Sequence, residues 1–294
     1  MRLYLLVGRL VSLARDRITR RSLERLRKDL VGREGHGNII LSCQRTDGAG
    51  AQLLARLQTF ALADYLGLRF VNLPISVLDH AKDNKEIEEW NRVLSFDSIS
   101  SVGFAKILRL EWTDLLKLGK TRLPSKPTVY VLDSVEPILR AVPNVWVSFR
   151  PRARSLVRLQ NPSGERLPTF CAHLRREPGV IGRSSVRYTS SRKLLDYIST
   201  IQTTEGISEK PTIFTYAHDL ELAELAVDRA LIDYHSSALQ VFEAMYRSKH
   251  LLIAKSALSY LAGYLSSTAK VYTERFWLPK LPDWKYVDRI KPRL

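Results

Sequence analysis

Short apolar runs alternate along the chain with stretches whose apolar residues recur every three or four positions, and this alternation predicts strands and helices in turn. Asn38-Ile-Ile-Leu-Ser-Cys43 is apolar and β-branched, as a strand buried on both faces should be. Leu53, Leu54, Leu57, Phe60, Ala61 and Tyr65 follow at helical spacing until Gly67, a residue suited to ending a helix. Leu68-Arg-Phe-Val-Asn-Leu-Pro74 predicts a second strand. The result is a βαβ unit whose corner, Gln44-Arg-Thr-Asp-Gly-Ala-Gly-Ala-Gln52, is rich in glycine. Residues 77–120 read as mostly helical and charged, and Pro127-Thr-Val-Tyr-Val-Leu132 as a further strand.

The pattern resumes after a polar, basic interval, 147–167, which holds Arg150, Arg152, Arg154, Arg158 and Arg166 with prolines at 151 and 162. Its 151–167 portion is expected to be a linker. Strands are predicted at 168–174, 212–216, 251–254 and 270–272, and helices at 192–201, 220–231, 237–247 and 257–265. Such alternation implies right-handed crossovers and parallel sheets. The expected fold is α/β and GT-B-like, with two Rossmann-like parallel-sheet domains, 38–150 and 168–294, facing across a cleft. Residues 1–37 precede them as a basic amphipathic segment.

Within that segment, residues 9–34 carry Arg9, Arg15, Arg17, Arg20, Arg21, Arg25, Arg27, Lys28 and Arg33, with Leu10, Leu13, Ile18, Leu23 and Leu26 between them. Two readings stand: a helix for an anionic membrane surface, or a solvated helix leaning on the core. The opening run of apolar residues is broken by Arg9 and falls short of the roughly 20 residues a bilayer span needs.

Composition adds direction. A chain of 294 residues with 45% hydrophobic and 26% charged content is globular, and a net charge of +16 attracts phosphate-bearing partners. Nucleic acid is not favoured: aromatic residues do not interleave with the basic runs, and no RNA-recognition, helix-turn-helix or OB pattern appears. The two cysteines, Cys43 and Cys171, lie in apolar runs without metal spacing, so a reducing compartment is the default and the expected location is cytoplasmic, peripheral to a membrane if the first helix binds one. There is no Asp-x-Asp, Walker loop, zinc spacing or Gly-x-Ser-x-Gly elbow, and no metal or cofactor is expected.

Three strand-to-helix corners are the candidates for chemistry. At the first, Gly48 and Gly50 permit close backbone approach beside helix amides, a natural anion or sugar contact. The missing third glycine argues against a dinucleotide site. At the second, His173 ends a strand and Arg175 and Arg176 follow, either as forks for phosphate or as a solvated pair. At the third, Ser256 and Ser259 stand at a helix start, a phosphate-binding geometry or ordinary capping.

Asp47-Gly-Ala-Gly-Ala-Gln52, His173-Leu-Arg-Arg176 and Ala254-Lys-Ser-Ala-Leu-Ser-Tyr-Leu-Ala-Gly-Tyr-Leu-Ser266 occur in an order that resembles the fucosyltransferase superfamily. Its members are metal-independent, inverting GT-B enzymes that include the α-1,2-, α-1,6- and protein O-fucosyltransferases. The resemblance spans roughly residues 38–275 and implies a glycosyltransferase with a GDP-sugar donor, GDP-fucose in most members, and a saccharide acceptor. It implies that Arg175 and Arg176 contact the diphosphate, that His173 orients the donor, and that Ser256 and Ser259 hold phosphate oxygens. It further implies that Gly48, Gly50 and Gln52 face the sugar. Asp47 and Glu177 are the acidic candidates at the corners for a base, and Arg175 and Arg176 would carry transition-state charge. Glu177-Pro178 stands where many members have Gly-Asp, and Lys249-His250 where many have an Asp before the late strand. The alternatives are a basic nucleic-acid-binding α/β protein and a catalytically inactive membrane-surface scaffold of the same fold.

Overall fold

The computed structural model describes residues 2–79, 83–96, 106–159, 167–175, 188–216 and 220–290, with the backbone alone for residues 2–13. The chain divides into two units, Met1–Arg158 and Leu159–Leu294, each containing one parallel sheet.

The first unit begins with α1 (Arg2–Leu30), in which Leu23, Leu26 and Leu30 are fully buried at three- and four-residue spacing. The expected N-terminal segment is therefore a wall of this unit's core, and its arginines from Arg15 to Arg27 stay outside. Arg20 Nε donates to Ala141 O at 2.9 Å. After the helix the chain turns at Gly35, whose φ of +81° and whose approach to Pro124 O, 2.8 Å from where a Cβ would stand, leave room only for glycine.

From there the unit runs β1 (Ile39–Cys43), α2 (Ala49–Leu66), β2 (Arg69–Phe70), α3 (Asn84–Val93), β3 (Lys106–Leu110), α4 (Trp112–Leu115), β4 (Thr128–Leu132), α5 (Glu136–Ala141) and α6 (Pro143–Ser155). Sheet order is β2-β1-β4-β3. β1 and β4 are buried at every position, in parallel register from Ile39↔Thr128 to Cys43↔Leu132. Gly67 caps α2 in the left-handed conformation.

Within 77–120 the expected helices stand as α3 and α4, and between them the described residues also hold β3, an edge strand with Ile107 58% exposed, which lacks the continuous apolar signature of a central strand. One expectation fails in this unit. Residues 151–155 of the expected linker are the end of α6, which buries Trp146, Phe149, Arg150 and Ala153 and leaves Arg152 exposed. Phe149 meets Phe60 of α2 edge to face at 5.2 Å.

The second unit runs β5 (Phe170–Leu174), α7 (Ser191–Glu205), β6 (Thr212–Thr215), α8 (Leu220–Ala226), β7 (Leu231–Asp233), α9 (Ala238–Arg247), β8 (His250–Ile253), α10 (Ala257–Leu265), β9 (Lys270–Thr273) and β10 (Lys285–Tyr286). Sheet order is β10-β9-β8-β5-β6-β7, with every pairing parallel. The helix expected over 220–231 stops at Ala226, because Asp228 takes a φ of 63° and sends the chain into β7. β7 and β10 are short edge strands. Serine begins three of the helices: Ser190, Ser237 in a full capping box, and Ser256 each accept a backbone N–H. The core joins Phe170, Ala172 and Leu174 of β5 to Leu194, Ile198 and Ile201 of α7 and to Tyr272 of β9.

Candidate functional site

A parallel sheet places the carboxyl ends of all its strands along one edge, where the chain turns out of the sheet and polar groups gather. In the second unit β5 lies between β8 and β6, so its carboxyl end is flanked by the β8–α10 corner on one side and the end of β6 on the other. Two of the three corners read from the sequence thus become neighbours on adjacent strands, with Ala172 paired to Leu252.

His173, next to last in β5, is half-buried, and its Nδ1 is buried without a hydrogen-bond partner among the described residues. Burial pushes its pKa down to about 4, and the charge of Arg175 adds to the effect. The imidazole is therefore neutral at neutral pH, a donor or acceptor and not a counter-charge. Arg175 follows the strand, half-buried. Arg176, Glu177 and Pro178 lie outside the described residues.

At the neighbouring corner, Ser256 is the N-cap of α10 and its Oγ accepts from Leu258 N at 3.3 Å. Ser259 is fully buried and donates to Ala254 O at 3.3 Å, which locks the turn from within. What this corner can offer an anion is the Ser256 hydroxyl and the backbone amides of the first turn of α10, which a helix leaves without intrahelical partners.

A cluster that sequence reasoning missed braces this edge. Glu274, directly after β9, is 9% exposed and accepts from Thr189 Oγ1 at 2.5 Å and Tyr197 OH at 3.0 Å. Lys193 Nζ lies 2.5 Å and Lys255 Nζ 3.4 Å from its carboxylate. Burial alone would raise the Glu274 pKa, but these hydrogen bonds and the two ammonium charges outweigh it and hold the group below the usual carboxylate range. Lys255 also donates to Tyr188 O at 3.4 Å, which joins the segment before α7 to the Ser256 corner. The only signal in the sequence was Lys255 beside Ser256; the partners come from two distant stretches, 189–197 and 255. Tyr216, next after β6, is 60% exposed.

The Gly48 corner belongs to the first unit. Gly48 is the N-cap of α2 at φ −63° and ψ 152°, and a Cβ there would meet nothing within 4 Å. Its glycine is not required by backbone strain, and the space above it is open. Gly50 is buried in the first turn. Asp47 is held by the Arg45 fork, Nε to Oδ1 at 3.0 Å and Nη2 to Oδ2 at 2.6 Å, and Arg45 Nη1 reaches Asp133 O at the end of β4 at 3.2 Å. Gln52 is buried and its Nε2 donates to Asp47 O at 2.6 Å and Val77 O at 2.7 Å. Its amide staples two loops together, and Oε1 is buried without a partner among the described residues.

One turn further along α2, Arg56 is 2% exposed. Burial lowers its pKa to about 10, against a smaller opposing effect of Cys43, so the buried guanidinium remains charged. No carboxylate pairs with it among the described residues. Burial likewise raises the Cys43 thiol to about 11 and the Cys171 thiol to about 12, which leaves both as inert apolar side chains. Among the described residues no group of three or more His, Cys, Asp or Glu is placed to hold a metal ion.

No protein-family model and no curated protein matches this chain. Among solved structures, the NodZ α-1,6-fucosyltransferase soaked with GDP-fucose is similar at 12% identity and a TM-score of 0.37, covering 78% of this chain and 92% of that one. The E. coli heptosyltransferase WaaC with ADP-2-deoxy-2-fluoro heptose is similar at 10% identity and a TM-score of 0.39, covering 84% of this chain and 92% of that one. The same heptosyltransferase with ADP gives 12% identity and a TM-score of 0.39, over 80% of this chain and 86% of that one.

Proposed function

We propose that this protein is a metal-independent, inverting glycosyltransferase that moves a sugar, fucose on the resemblance of its motifs, from a GDP-sugar donor to a saccharide hydroxyl. The observation that carries the reading is the convergence of the β5 end with the β8–α10 corner at one edge of the second sheet. A guanidinium on one strand and a helix start on its neighbour together make a diphosphate site.

In the reaction the acceptor oxygen bonds to the anomeric carbon, the bond from that carbon to the diphosphate breaks, and GDP leaves with the electron pair. Arg175, with Arg176, offsets the charge that grows on the diphosphate. Neutral His173 orients the donor by hydrogen bonding and adds no charge of its own. Ser256 and the first amides of α10 hold phosphate oxygen, and Ser259 keeps that corner rigid. Gly48 and Gly50 let a sugar approach the backbone, with Gln52 holding their loop in shape. Asp47 is the acidic group at that corner and takes the acceptor proton once it parts from Arg45.

Calorimetric titration with GDP and GDP-fucose tests the donor site. The wild-type chain binds both, and Arg175→Ala or Arg176→Ala weakens binding by roughly ten- to a hundredfold, the value of a charged hydrogen-bonded pair. No binding by the wild type, or equal binding by the variants, overturns the assignment. A second reading, a nucleotide-sugar-binding scaffold without transfer, is favoured by the commitment of Asp47 to Arg45. GDP binding without GDP release from GDP-fucose across a panel of saccharide acceptors would select it.

A further inference from the structure

The first unit carries a groove of about 660 Å³ between α1 and α4, away from the Gly48 corner in sequence and built from other residues. α1 turns one face, Leu23, Leu26 and Leu30, into the core. The flank beside it, where Arg15, Ile18 and Arg25 follow at three- and seven-residue spacing, lines the groove opposite Trp112 and Lys120. Ile18 is 67% exposed although it is a large aliphatic residue at the centre of this flank. The Arg15 guanidinium stands 5.7 Å from the Trp112 ring centroid. Arg25 and Lys120 are exposed and have no carboxylate partner among the described residues, and Asp29 at one end is the single carboxylate of the lining. An apolar floor with an aromatic ring under a cationic rim is the chemistry of a bilayer interface, where Trp sits at headgroup depth and arginine at the phosphates.

The same helix extends this character toward its start. Residues 2–13 of α1 contain Leu3, Leu5, Leu6, Val7, Leu10, Val11 and Leu13, with Arg2 and Arg9 as their only charges. These twelve helical residues are about 18 Å long, a length that can lie along an interface. No helix among the described residues is long and apolar enough to cross a membrane.

We propose that α1 and α4 form a docking surface for a bilayer containing anionic phospholipid, with Ile18 and Trp112 entering the headgroup region and Arg15, Arg25 and Lys120 meeting lipid phosphates. Charge complementarity carries the choice of partner: four cations against one carboxylate line the groove, and of the four only Lys117 is paired with a carboxylate, that of Asp114 at 2.7 Å, among the described residues. The surface is independent of the proposed donor site, and it makes the helix both a core element and an attachment, on different faces.

Co-sedimentation with vesicles tests this, using phosphatidylcholine alone and phosphatidylcholine mixed with phosphatidylglycerol. The full chain is expected to pellet with the anionic vesicles, to release as salt is raised, and to stay in solution with the neutral ones. Arg15→Gln with Arg25→Gln lowers anionic binding about thirtyfold, from roughly fivefold per basic residue at an anionic surface. Ile18→Asp weakens binding separately. Both variants keep the wild-type melting temperature and GDP affinity, since none of the three residues is in the core or the donor site; that readout separates this proposal from the glycosyltransferase reading. Equal pelleting with neutral vesicles, unchanged binding by the double variant, or complete competition by soluble polyglutamate overturns the proposal, the last in favour of an acidic protein partner.

Discussion

Replacing Glu274 by Gln tests whether its cluster holds the donor edge together. The side chain keeps its shape, but the charge is removed and one of the two accepting oxygens becomes an NH2 donor. Lys255, whose side chain is 16% exposed, loses its one counter-charge among the described residues, whereas Lys193, 53% exposed, can return to water and is discounted accordingly. A hydrogen bond to a charged group contributes about 1.5–3 kcal/mol against about 0.5–1.5 for a neutral one. With Thr189 and Tyr197 also losing charge assistance, the expected cost is about 2–3 kcal/mol. At an m-value of about 2 kcal/mol per molar urea, the unfolding transition of the second unit moves down by about 1 M.

The pH dependence supplies the second half of the test. The Glu274 pKa is depressed in the folded state, so its contribution is present above the ordinary carboxylate value of 4.5 and is lost as pH falls through the folded value. The gap between wild type and Glu274→Gln therefore stays constant near neutrality and closes in acid. A midpoint shift below about 0.2 M, no greater than that of the exposed control Glu221→Gln, or a gap that persists at the lowest pH, refutes the reasoning.

His173 titrates in the opposite sense from an ion-paired histidine. Its folded pKa, about 4, lies below its unfolded value of 6.5, so the unfolded chain binds more protons between them and stability falls as pH drops through that window. Urea midpoints for wild type and His173→Gln should converge as pH falls from 6.5 to 4; parallel curves count against it. Gly48→Ala fits its backbone angles and meets no neighbour, so stability should hold or rise by up to about 1 kcal/mol while transfer to acceptor declines. Loss of folding would contradict the open space, and full activity would contradict close approach by a ligand.

The central strands were legible because burial on both faces forces continuous apolar runs: β1, β4 and β5 stand where Ile39-Ile-Leu, Val129-Tyr-Val and Phe170-Cys-Ala announced them. β3, β7 and β10 were not, since an edge strand pairs on one side and needs only two to five residues with mixed character. α6 hid for another reason. Its arginines and Pro151 dominate the composition, while its folding depends on three apolar residues at helical spacing. The corners were readable as positions but not as contacts. Gln52 reads as ligand-facing and is a buried staple; Ser259 reads as a phosphate ligand and donates inward. Glu274 could not be found from sequence, because its partners at 189, 193, 197 and 255 become neighbours only in the folded sheet.

The seating of α1 also bears on how the chain is made. Arg20 bonds to Ala141 across 121 positions, Arg33 to Thr121 across 88, and Asn38 to Pro124 across 86. A ribosome adding roughly 5–20 residues per second needs about 6–24 s to supply Ala141 after Arg20 has appeared. Until Ala141 appears α1 lacks its bond to α5, although Thr121 and Pro124 are supplied earlier in the same interval. α1 is thus completed only after α5 has been made, and the time it waits is set by translation rate, not by its own folding.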